Sequence, residues 1–72
     1  MPLVQVTMRE GRSPAQIRSL ISALTSAVTE SIGAPKEAVR VIITEVAGSH
    51  WAAGDVTLEE RSAGNGQGAG QV

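Results

Sequence analysis

The stretch Ser13 to Gly33, SPAQIRSLISALTSAVTESIG, carries its own start and stop signals and constrains the fold more than any other part of the chain. Ser13 can cap the first free N–H groups of a helix. Pro14 suits the first helical position, where no N–H is needed, and Gln16, three residues after the cap, completes a capping box. Ile17, Leu20, Ile21, Leu24, Val28 and Ile32 then recur at helical spacing on one stripe, and Gly33 offers the left-handed conformation that closes a helix. The result is one amphipathic helix whose apolar side must be covered.

The segments on both sides of it are extended. Pro2 to Met8, PLVQVTM, alternates, with Val4, Val6 and Met8 pointing one way and Leu3, Gln5 and Thr7 the other. Arg9 to Arg12 break that pattern as a loop. After the helix, PKEAV forms a turn into Val39 to Val46, VRVIITEV, which is β-branched on both faces, as a parallel strand buried under a helix would be. Strand, helix, strand makes a single α/β unit of βαβ order, with a right-handed crossover. Beyond Val46, AGSHWAAGDVTLEER reads as a loop around His50 and Trp51 followed by a short strand or hairpin near Asp55 to Leu58. From Ser62, SAGNGQGAGQV is Gly-rich and is expected to be a disordered tail. The expected organisation is one domain over 2–61 and a tail over 62–72.

Such a unit cannot stand easily alone. With 72 residues it buries too little surface for comfort, and two strands leave both sheet edges and one face open. There is no cysteine, so no disulfide or thiolate site supports it, and one histidine cannot build a zinc site. Association with other copies is the remaining support, and 42% hydrophobic residues fit a protomer that hides apolar surface against them. A net charge of -1, with acids and bases interspersed, gives no patch for nucleic acid or an anionic membrane. No apolar run approaches the roughly 20 residues that span a bilayer, and no signal peptide is visible. The expected location is cytoplasmic.

The proline behind the initiator methionine is out of place in a strand unless its nitrogen is wanted. A Met followed by proline is ordinarily removed, which would leave Pro2 with a free secondary amine. An α-amino group titrates at about 7.7 to 8.0 in small peptides, and an apolar pocket or a nearby cation lowers that value by disfavouring the charged form. Pro2 would then be a base usable near neutral pH. Arg9, Arg12 and Arg40 supply the cations, and guanidinium groups also hold carboxylates bidentately.

Pro2 behind Met1, EGRS at Glu10 to Ser13, the capped helix, GAP at Gly33 to Pro35, VRVIITE at Val39 to Glu45 and the pair His50–Trp51 together resemble the 4-oxalocrotonate tautomerase family, from residue 2 to about residue 55. That resemblance implies a tautomerase-like fold assembled as a homohexamer, a trimer of dimers, with active sites shared between subunits and no metal or organic cofactor. It implies that Pro2 is the general base of a keto-enol isomerisation of an unsaturated 2-hydroxy or 2-oxo acid such as 2-hydroxymuconate. Arg12 would bind the distal carboxylate, and Arg40 the 2-hydroxy or 2-oxo acid end. Trp51 stands where relatives have Phe, as an apolar wall that keeps the amine neutral. Arg9 stands where chloroacrylate dehalogenase relatives carry a second arginine, so it joins Trp51 as a candidate substrate-binding residue. The glutamate that activates water in those relatives corresponds to Ala53, with Asp55 a weak substitute. A haloacrylate dehalogenase and a catalytically idle oligomeric scaffold stay open beside the isomerase. His50, Glu59 and Glu60 are read as surface residues.

Overall fold

The computed structural model of the chain describes residues 1–65. Its elements run in the order β1 (Leu3–Arg9), α1 (Pro14–Ile32), β2 (Arg40–Val46), β3 (Ala52–Ala53), β4 (Val56–Thr57) and α2 (Leu58–Asn65), with single 3-10 turns at Lys36–Ala38 and Gly48–His50. The expected βαβ order with a C-terminal hairpin is present, and a second helix follows it. Two compact units form, one from Met1–Val6 and Gly11–Thr44, the other from Thr7–Glu10 and the described residues from Glu45 onward.

β1 and β2 are hydrogen-bonded neighbours. The Arg40 N–H donates to the Pro2 carbonyl at 2.9 Å, and the Glu10 N–H donates to the Val46 carbonyl at the same distance, so the strands run in the same direction. Val4, Val6 and Met8 on β1, and Val41 and Ile43 on β2, are half-buried, whereas Leu3, Gln5, Thr7, Ile42 and Thr44 are exposed. The strand expected to be buried on both faces is thus covered on one within a single chain. Leu3 remains 53% and Ile42 48% exposed.

In the first unit, α1 begins and ends as its sequence dictates. Ser13 Oγ accepts the Gln16 N–H at 3.1 Å while the Ser13 N–H donates to Gln16 Oε1 at 2.9 Å, which satisfies two donors reciprocally. Gly33 takes φ 72° and donates its N–H to the Thr29 carbonyl, a left-handed closure that a side chain would resist. Ile17, Leu20, Ile21, Leu24 and Val28 form the half-buried stripe. Ile32, expected in that stripe, is 67% exposed. It is the last residue of α1, directly before the left-handed closure at Gly33.

In the second unit, β3 and β4 pair antiparallel, Ala52 with Thr57 and Ala53 with Val56. Gly54 and Asp55 between them have φ 61° and 68°, the two positive values of a type I′ turn, whose twist matches that of the strands it joins. Thr57 then opens α2: its Oγ1 accepts the Glu60 N–H at 3.0 Å, and its own N–H donates to Glu60 Oε1 at 2.9 Å. Leu58, 8% exposed, is the one buried hydrophobic side chain among the described residues. The segment expected to be a tail from Ser62 therefore starts inside a helix. Ser62 to Asn65 belong to α2, and 66–72 lie outside the described residues.

Candidate active site

Pro2 and Arg40 are brought together. Each stands at the head of one parallel strand, and the hydrogen bond from the Arg40 N–H to the Pro2 carbonyl fixes them side by side. Pro2 is half-buried and Arg40 is exposed. The Arg40 side chain is steadied by its own chain, because Nη1 donates to the Glu37 carbonyl at 2.9 Å. One N–H of the fork is thus spent on orientation, and a guanidinium has five. The 3-10 turn at Lys36–Ala38, which supplies that carbonyl, is the PKEAV segment that joins helix to strand.

Arg12 is elsewhere. It is exposed in the loop before α1, three residues past the end of β1. Because Pro2 precedes the same strand, and 7 strand residues span about 23 Å, no side chain bridges the two within one chain. The loop owes its turn to Gly11, whose φ of 125° lies outside the range of ordinary residues.

The other residues singled out from sequence lie in the second unit. Arg9 ends β1, is half-buried, and donates from Nη1 to Ser62 Oγ at 3.2 Å. Trp51 is half-buried directly after the Gly48–His50 turn, and its carbonyl accepts the Leu58 N–H at 2.9 Å. His50 is exposed, as read from sequence. Ala53 is exposed in β3, and Asp55 is held in the tight turn. A groove of about 260 Å³ lies along α1, lined by Arg18, Thr25, Thr29 and Lys36 among others, and none of the candidate catalytic residues lines it. Among the described residues no group of three His, Cys, Asp or Glu side chains is arranged to hold a metal, and no helix is long and apolar enough to cross a membrane.

Sequence reading missed Ser62, Gly48 and the cap of α2. The cap had a signal, since Thr57-Leu58-Glu59-Glu60 is a capping-box pattern. The contact between Arg9 and Ser62 had none, because it joins residues 53 positions apart.

A parallel strand pair, a crossover helix and a proline at the head of the first strand define a small α/β protein. Comparison with known proteins gives that class a family: residues 2–61 match the family described as tautomerase enzyme. A probable tautomerase of Ralstonia nicotianae is 53% identical over 51 residues, covering 71% of this chain and 73% of the relative. Among solved structures, TomN, a 4-oxalocrotonate tautomerase homologue of the tomaymycin biosynthetic pathway, superposes with a TM-score of 0.84 at 47% identity, covering 86% of this chain and 95% of that one. A heterohexameric 4-oxalocrotonate tautomerase from Chloroflexus aurantiacus gives 0.79 at 40% identity, covering 83% and 97%. The chain belongs to the tautomerase family.

Proposed function

We propose that this chain is an isomerase that moves a proton between oxygen and carbon of an unsaturated 2-hydroxy or 2-oxo acid such as 2-hydroxymuconate, with Pro2 as general base once Met1 has been removed. The observation that carries the reading is the pairing of a half-buried Pro2 with Arg40 at the heads of two parallel strands. The names of the relatives point the same way, as probable tautomerases and 4-oxalocrotonate tautomerases. Met1 is 86% exposed, so its bond to Pro2 is open to a processing enzyme.

In this mechanism the Pro2 nitrogen, a secondary amine without Met1, takes the proton of the 2-hydroxyl group. Electrons flow through the conjugated system to form the 2-oxo group, and the same nitrogen returns the proton to carbon 3 or 5. No oxidant or cofactor is required. Arg40 holds the 2-oxo acid end and stabilises the negative charge that develops there, a charge that exists mainly in the transition state. Arg12 binds the distal carboxylate, and Trp51 closes the pocket against water.

Since Pro2 and Arg12 lie at opposite ends of β1, one substrate can touch both only if the Arg12 comes from another copy. A homohexamer built as a trimer of dimers meets that requirement, and the exposed sheet face, which carries Leu3 and Ile42, supplies surface for it. A small soluble enzyme of this kind would work in the cytoplasm on a carboxylate substrate.

The test is ketonisation of 2-hydroxymuconate followed by ultraviolet absorbance, on protein shown by intact mass to lack Met1. Rapid conversion by the wild type, reduced about 100-fold or more in Pro2→Ala, is the expected result. Equal rates in the two proteins would remove Pro2 from the mechanism, and an inactive processed wild type would remove this substrate.

A further inference from the structure

Arg9 is the candidate site residue most committed to its own chain. Nη1 donates to Ser62 Oγ at 3.2 Å. The guanidinium also lies so close over Gly48 that a Cβ built there would meet Nη2 at 2.7 Å, Nε at 2.8 Å and Cζ at 2.9 Å. Gly48 is buried and opens the 3-10 turn that ends at Trp51. The Trp51 carbonyl accepts the N–H of Leu58, the buried first residue of α2, and Ser62 lies one turn further along that helix. The flat cation therefore rests on the turn that delivers Trp51 and grips the helix that anchors the Trp51 carbonyl. Its close approach is possible only because residue 48 has no side chain.

We propose that Arg9 is a positioning residue: it locks the Gly48–Trp51 segment to α2 and thereby sets the indole of Trp51, and it does not bind the substrate. The lock is geometric and stands by itself, while its effect on turnover rests on the isomerase reading above. A planar guanidinium is required. An ammonium on a flexible stem keeps the charge but cannot lie flat over the Gly48 backbone.

Trp51 is the only tryptophan of the chain, so its fluorescence reports its surroundings without interference. The experiment compares emission maximum, acrylamide quenching and 2-hydroxymuconate kinetics in Met1-free wild type, Arg9→Met, Arg9→Lys, Ser62→Ala and Gly48→Ala, each checked for fold by far-ultraviolet circular dichroism. The expected result is a red shift and stronger quenching in Arg9→Met and Gly48→Ala, a smaller change in Ser62→Ala, no recovery in Arg9→Lys, and KM raised about three- to tenfold where the emission moves. Native emission and quenching in a folded Arg9→Met protein would overturn the proposal, and a raised KM with native emission, restored by Arg9→Lys, would make Arg9 a substrate ligand instead. If the wild type does not turn over 2-hydroxymuconate, the fluorescence comparison still decides the lock, so the two readings fail separately. Should Arg9→Met not fold, Gly48→Ala and Ser62→Ala decide it alone.

Discussion

Arg12 and Arg40 carry the same charge, but their settings differ, and the proposed mechanism gives them different work. Arg40 begins a strand, and its fork is pre-set by the Glu37 carbonyl at 2.9 Å, so little ordering remains when a substrate arrives. Arg12 is exposed in a loop, and in the proposed mechanism it meets a carboxylate remote from the proton transfer. Replacing each by alanine removes a charge-assisted contact of about 1.5 to 3 kcal/mol, or about 10- to 150-fold. For Arg40→Ala that loss is expected chiefly in kcat, because the charge it meets develops in the transition state; for Arg12→Ala it is expected chiefly in KM. Steady-state kinetics on 2-hydroxymuconate separate the two, and an Arg40→Ala enzyme with native kcat and raised KM would reduce Arg40 to a binding residue. At this scale the sequence shows which residues head the strands better than where side chains point. Pro2 and Arg40 each head a segment with clear strand patterning, so their adjacency follows once the strands are taken as parallel. The engagement of Arg9 does not follow from its neighbours, because its partner lies on a helix that pattern reading did not find.

The two helices show why one was legible and the other was not. α1 is 19 residues long, so its apolar stripe repeats often enough to be seen, and Ser13, Pro14, Gln16 and Gly33 mark both ends. α2 has 8 residues, about two turns, too few for periodicity to emerge and too few to hold a helix in water without help. Its Thr57 also fits the alternation of the preceding strand, and Glu59 and Glu60 look like any solvated acids. What holds α2 is its beginning: the reciprocal bonds between Thr57 and Glu60, two acids in the first turn opposite the positive end of the helix dipole, and Leu58 in the core. Thr57→Ala removes the cap and should destabilise the protein by about 1 kcal/mol, seen as a lower midpoint in urea with an unchanged slope. Thr57→Ser keeps the oxygen and should recover most of that loss. A Thr57→Ala midpoint equal to that of the wild type would mean that α2 contributes nothing to cooperative stability.

A molecule of this size with one buried hydrophobic side chain among its described residues is not finished as a single chain. Leu3, Ile32, Ile42 and Val56 are 53%, 67%, 48% and 39% exposed, and burying a side chain of this kind contributes about 1.5 to 3 kcal/mol. Net stabilities of whole domains are only about 5 to 15 kcal/mol, so covering these positions in an assembly decides between folded and unfolded. Ile42 is the position to test, since it lies mid-strand on the exposed face of β2. If that face meets other copies, Ile42→Lys places an unpaired charge in each interface. If the face is free, a lysine there changes stability by no more than about 0.5 kcal/mol. The proposed hexamer predicts that sedimentation velocity at micromolar concentration shows Ile42→Lys as smaller species with reduced helical signal, and that the melting temperature of the wild type rises with concentration. A variant with native mass and native melting would show the face to be unused. In the proposed mechanism the same dissociation should abolish turnover with Pro2, Arg12 and Arg40 intact, because Pro2 and Arg12 stand at opposite ends of one strand and a second copy would have to bring them to one substrate. Specific activity of the wild type should therefore fall on dilution in step with the loss of the large species, and activity that persists in a monomer would break the link between assembly and catalysis.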